Sequence, residues 1–110
     1  MKSPKLLIFI PTYNEAENVE RLCRELTALQ LGADILFCDD ASADGTAEII
    51  ERLSEEFPHV QVIHRSGKLG IGSAHHEGIR YAYAEGYETL VTMLPLTQTP
   101  LRAAYRLLRR

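Results

Sequence analysis

The stretch Ile35-Leu36-Phe37-Cys38-Asp39-Asp40-Ala41-Ser42-Ala43-Asp44-Gly45-Thr46 decides the fold. Four apolar residues run into two adjacent acids. A small polar turn follows, and a helical pattern opens at Asp44 or Thr46. Open α/β sheets bind ligands at the carboxyl ends of their strands, so a strand that stops on carboxylates before a helix marks a candidate site.

Upstream, Lys5-Leu6-Leu7-Ile8-Phe9-Ile10 is continuously apolar, the pattern of a strand buried on both faces. Pro11 ends it, having no N–H for a ladder bond. Thr12-Tyr13-Asn14-Glu15 forms its polar tip, and Asn14 with Glu17 predicts a helix cap. Val19, Leu22, Cys23, Leu26 and Leu29 recur at helical spacing, with Gly32 as the stop.

Downstream, Ile49, Ile50, Leu53 and Phe57 share a second helix face, closed by Pro58. Val60 to His64 predicts a third strand, and Ser66 to Ser73 a glycine-rich loop. A helix over about Ser73–Glu85, a fourth strand Thr89–Met93 and a terminal helix Leu101–Arg110 complete the pattern. Alternating strands and helices predict a mostly parallel sheet of about four strands with flanking helices. Tyr13 to Glu15, Asp39-Asp40, His64-Arg65 and the loop after Met93 then share one edge.

The 110 residues suffice for one small domain, with ordinary apolar (45%) and charged (25%) content. The net charge of −3 argues against nucleic-acid binding, which favours basic surfaces. Residues 101–110 hold four arginines and no acid, so the acidic excess lies in the preceding chain. That tail, with Leu101, Ala104, Tyr105 and Leu108 on one helical face, suits either packing on the sheet or peripheral contact with an anionic membrane. Cys23 and Cys38 read as buried reduced thiols. The Leu6–Ile10 run is too short for a signal or a membrane span, so a cytoplasmic location is expected, including the cytoplasmic face of a membrane.

Three other patterns compete. Gly70-x-Gly72-x-x-His75 lacks the third small residue of a dinucleotide fingerprint and follows the third strand rather than the first. His75 and His76 lie about 100° apart on a helix and cannot chelate together. Asp40, Ser42, Asp44, Gly45, Glu48 and Glu51 match the spacing of a calcium loop, but no entering helix precedes them.

Pro11-Thr12-Tyr13-Asn14-Glu15, then Asp39-Asp40-Ala41-Ser42-Ala43-Asp44-Gly45-Thr46, then Lys68-Leu69-Gly70-Ile71-Gly72-Ser73-Ala74 resemble the family 2 glycosyltransferases. The similarity is to the dolichol-phosphate (polyprenyl-phosphate) mannosyltransferase branch and covers about residues 5–100. It implies the Rossmann-like, nucleotide-sugar-binding half of a glycosyltransferase A fold, with residues 1–110 as one truncated domain. It implies transfer of a hexosyl group, mannosyl foremost, from GDP-mannose or a UDP-sugar to polyprenyl (dolichol) phosphate or a related acceptor.

The implied nucleotide-sugar site comprises Pro11, Tyr13, Glu15, Cys38, Asp39, Asp40, Arg65 and Lys68. Pro11, Tyr13 and Glu15 would flank base and ribose. Asp40 would accept from the base beside Asp39, and Arg65 and Lys68 would face the phosphates or close the loop. Such residue types suit the task, since a carboxylate accepts base N–H donors and cations offset pyrophosphate charge.

The family also implies Mg2+ or Mn2+, held by an Asp-x-Asp after the fourth strand. Here Leu94-Pro95 stands in that place, and neither side chain ligates a hard cation. The family's second half supplies the acceptor contacts and general base, which leaves an inactive nucleotide-binding fragment as the alternative. A receiver-like regulatory domain, whose paired acids hold Mg2+, is a more distant one.

Overall fold

The computed structural model describes residues 6–67, 70–93 and 102–106, with Ile71 and residues 102–106 described as backbone only. Five strands and three helices follow in the order β1 (Leu6–Thr12), α1 (Val19–Ala28), β2 (Asp34–Asp40), α2 (Thr46–Glu56), β3 (Val60–Arg65), α3 (Ile71–Ala84), β4 (Thr89–Met93) and β5 (Arg102–Arg106). The spatial order is β3-β2-β1-β4-β5. The first four strands are parallel, and β5 runs antiparallel to β4.

Strand parity divides the molecule into two apolar layers, because successive side chains point to opposite faces. Ile8 and Ile10 of β1 and Ile35 and Phe37 of β2 meet Val19, Leu22, Cys23 and Leu26 of α1 and Ile50 and Leu53 of α2. The other parity, Leu7, Phe9, Leu36, Cys38 and Leu90, meets Ala74 and Ala82 of α3 with Tyr87. Helix α3 approaches closely because position 78 is glycine: a Cβ there would lie 2.8 Å from the Phe9 ring.

Across the outer surface of α1 and α2, Arg24 holds Glu56 through two bonds of 2.9 Å and Glu20 at 3.0 Å, and Arg52 reaches Glu20 at 2.9 Å. Helix α2 ends at Glu56 because Phe57, preceding Pro58, is pushed to an extended conformation.

Three expectations change, the first being that Pro11 does not stop β1, which runs on through it to Thr12. Residues 102–106 of the expected terminal helix form strand β5, since the open edge of β4 offers a row of main-chain partners that an isolated ten-residue helix lacks. Asn14 does not cap α1, which begins at Val19 after Asn18. Asn14 adopts a left-handed conformation, φ 54°, and bonds the neighbouring loop instead. Lys68, the departure at Leu94-Pro95 and the rest of the basic tail lie outside the described residues. Among the described residues, no helix is long and apolar enough to cross a membrane.

Cys23 and Cys38 are both fully buried, and burial pushes the Cys38 thiol up to about 11. Thiolate is the reactive form, so neither cysteine should react with a disulfide reagent at pH 8 until denaturant is added. The pH dependence follows from linkage. The native state holds the Cys38 proton longer than the unfolded chain, whose thiol ionises near 9. Stability should therefore fall as pH rises from about 9 to about 11. Denaturant titrations across that window check the slope.

Candidate functional site

The register between β1 and β2 sets the site. Thr12 lies opposite Asp39, so Tyr13 and Asp40 follow at neighbouring strand tips. The chain order reverses across β1, with β2 and β3 on one side and β4 on the other, the arrangement that opens a crevice at the carboxyl ends.

The loops after β1 and β2 are fastened to each other. The Asn14 N–H donates to Ser42 Oγ at 2.8 Å, and the Ala43 N–H donates to Asn14 Oδ1 at 2.9 Å. The Glu15 N–H donates to Thr46 Oγ1 at 2.9 Å, and the Ala16 N–H to Asp44 Oδ2 at 3.2 Å. Asp44 also accepts from the Thr46 hydroxyl and its N–H, and the hydroxyl bond above all holds its carboxyl below the usual range. The calcium-like spacing is thus spent on a helix start and a loop brace. The brace presents Tyr13 to solvent and keeps Glu15 half-buried. Burial raises the Glu15 carboxyl, with Asp44 adding repulsion, against a lowering bond from Asn18.

Asp39 and Asp40 are neighbours in sequence with different surroundings. Asp39 shares the parity of Phe37 and is 1% exposed. Its Oδ1 accepts from Thr12 Oγ1 at 2.6 Å and Ser42 Oγ at 2.7 Å, and its Oδ2 accepts from the Ser42 N–H at 3.0 Å. Ala41, at φ 54°, makes the sharp turn that brings Ser42 back. A left-handed non-glycine residue costs about 1–2 kcal/mol, a strain the Asp39 bonds hold in place.

Asp40 shares the parity of Cys38 and faces the α3 side. Arg65 shares the parity of Ile63 on the adjacent strand and meets it there, directly across the register. Arg65 Nε donates to Asp40 Oδ1 at 2.5 Å and Nη2 to Oδ2 at 3.0 Å. The Gly70 N–H adds a bond to Oδ2 at 3.3 Å. The Arg65 side chain is only 6% exposed, so it is turned into the fold rather than out toward a phosphate.

The eight sequence-derived residues therefore separate. Tyr13, Glu15 and Asp40 sit at adjoining strand tips, with Asp40 covered by Arg65. Pro11 is buried within β1, opposite Cys38. The Cys38 side chain is sealed in the core, which removes its sulfur from any ligand, and Asp39 is a buried frame residue. Ser42, Asp44 and Thr46 bear on the site more directly than the sequence reading assigned, although their hydroxyl and carboxyl groups in one turn were a visible signal.

Among the described residues, no group of three His, Cys, Asp or Glu side chains converges to hold a metal ion. Asp39 and Asp40 point to opposite faces and cannot share one cation, which also removes the receiver-like arrangement. Leu94, Pro95 and Leu96 offer no side-chain oxygen in sequence. Leucine and proline side chains offer a hard cation no ligand, so Leu94-Pro95-Leu96 would not itself hold one. A cavity of about 310 Å³ lies at the opposite edge of the sheet, lined by Leu26, Leu31, Asp34, Ile35 and His59. Its place at the amino ends of the strands is not where parallel sheets carry their ligand chemistry.

The arrangement is a Rossmann-like α/β fold with its polar loops at the carboxyl edge of the sheet. Its fold is that of the glycosyltransferase A enzymes. A mannosyltransferase from Pyrobaculum calidifontis, solved in complex with GDP-Man and Mn2+, superposes with a TM-score of 0.73 at 23% identity, over 86% of this chain and 28% of that one. Residues 7–93 match the family Glycosyl transferase family 2, and the chain belongs to that family. The undecaprenyl-phosphate mannosyltransferase of Micrococcus luteus is 39% identical over 89 residues, covering 81% of this chain and 37% of that protein. The polyprenol monophosphomannose synthase of Mycolicibacterium smegmatis is 37% identical over 90 residues, covering 81% and 34%. The chain thus spans about a third of the length of these curated relatives.

Proposed function

We propose that this chain is the donor-binding part of a hexosyltransferase that moves a mannosyl group from GDP-mannose, or a related hexose from a UDP-sugar, to a polyprenyl phosphate. The observation that carries the reading is the braced pair of strand tips, which sets Tyr13, Glu15 and Asp40 at one edge of the sheet. In this reading Tyr13 offers a ring face to the base, Asp40 accepts its N–H donors, and Glu15 lies toward the ribose. Lys68, in the glycine-rich segment, is proposed for the diphosphate. The acceptor would be met at the cytoplasmic face of a membrane.

A second reading, an inactive module that binds nucleotide without transfer, is favoured by the lack of side-chain oxygens at Leu94-Pro95-Leu96. Calorimetry with GDP-mannose and UDP-glucose, with and without Mn2+, tests the shared core of both. Binding of at least one nucleotide sugar without metal is expected, and Asp40→Ala should abolish it. No binding of either ligand overturns the site. Mannosyl transfer to a polyprenyl phosphate by the same protein would decide for the enzyme.

A further inference from the structure

The Nε and Nη2 of Arg65 and the N–H of Gly70 converge on the Asp40 carboxylate. Arg65 is itself held from two more directions. Its Nη1 donates to Ser73 Oγ at 2.8 Å and its Nη2 to the Gly70 carbonyl at 3.1 Å. The ion pair is nearly sealed, with side chains 6% and 8% exposed. A two-pronged guanidinium–carboxylate contact is strong and directional, and burial makes its opening costly.

The geometry bears on how a base could reach Asp40. Guanine presents two adjacent N–H donors along one edge, and uracil presents one. Either would need the carboxylate oxygens that the Arg65 fork occupies. The fork and the guanine edge are chemical equivalents, two near-parallel N–H donors facing one carboxylate.

We propose that Arg65 is an affinity-setting residue that competes with the nucleobase for Asp40. The inference rests on the reading of Asp40 as the base acceptor. Base binding then requires the guanidinium to yield its fork. The observed affinity equals the intrinsic affinity scaled by the fraction of molecules in which the pair is open. Ser73 is a positioning residue in this scheme: it holds Arg65 in the competing pose without being assigned to base, ribose or phosphate.

The test is calorimetric titration of GDP and UDP into the wild-type chain, Ser73→Ala and Arg65→Met. Loss of one neutral-acceptor hydrogen bond to Arg65 should tighten GDP binding about threefold in Ser73→Ala. Arg65→Met, which keeps side-chain length and removes every donor, should tighten it more than tenfold. Tightening is the informative sign, because a merely structural lesion weakens binding. Arg65→Met leaves a buried carboxylate without its cation; if circular dichroism shows it unfolded, Ser73→Ala carries the test alone. Unchanged or weaker binding in Ser73→Ala, beside normal wild-type binding, overturns the competition and leaves the site standing. Failure of all folded proteins to bind either nucleotide overturns the site reading and the competition together.

Discussion

Asp39→Ala is expected to cost about 3 kcal/mol of stability, because buried donors left without an acceptor cost about 1–3 kcal/mol each. The carboxylate takes the Thr12 hydroxyl and both donors of Ser42. Thr12 is 3% exposed, so water cannot readily replace the lost acceptor there. Ser42 is less buried and recovers part of its loss from solvent. For a domain of this size the thermal midpoint should fall by roughly 15 °C. The same change frees the Ala41 turn, and Ser42 then no longer receives the Asn14 N–H in a fixed place. Thermal unfolding followed by circular dichroism checks the fall. A change within about 0.5 kcal/mol, the range of an ordinary surface substitution, would remove Asp39 from its framing role.

Gly78→Ala is the second large effect. Alanine in a helix interior ordinarily gains about 1 kcal/mol over glycine. Here the new methyl would sit 2.8 Å from two atoms of the Phe9 ring, close to where that ring joins its own chain. Phe9 is fully buried, so neither ring nor helix can yield freely. Overpacking costs about 1–3 kcal/mol, and a net loss of about 2 kcal/mol is expected in denaturant titrations. Phe9→Leu introduced on top should return part of that loss, a coupling that a double-mutant cycle measures. A stabilised Gly78→Ala protein would show that α3 does not rest on β1 as described.

The sequence made the parallel core legible because its signals were local and repeated. Apolar runs gave β1 and β2, helical spacing gave α1 and α2, and Pro58 marked the end of α2. The adjoining tips of β1 and β2 followed from their order. Strand β5 was hidden because Leu101, Ala104, Tyr105 and Leu108 have helical spacing, whereas its partner, the edge of β4, is a tertiary feature. Asn14 was misread for a related reason: a residue suited to a helix start is equally suited to a left-handed turn, and the loop after β2 decided between them.

Arg65 is the instructive case. Its charge suggested a phosphate or a part in closing the glycine-rich loop, and its parity with Ile63 already placed it on the α3 face beside Asp40. Reading alternation along β2 and β3 together would have revealed the pair. The bonds from residues 14–16 to residues 42–46 follow no periodicity, and only the folded register brings those loops within reach.

The opposed directions of Asp39 and Asp40 also divide tolerance to change. The first acid is committed to the scaffold, so variation there is paid in folding yield. The second is bound to one arginine and the Gly70 N–H and, in the proposed function, answers to the occupant of the cleft. Libraries built on the proposed base contact should therefore randomise positions 40 and 65 as a pair and leave 39 fixed, since a new partner for one demands a new partner for the other.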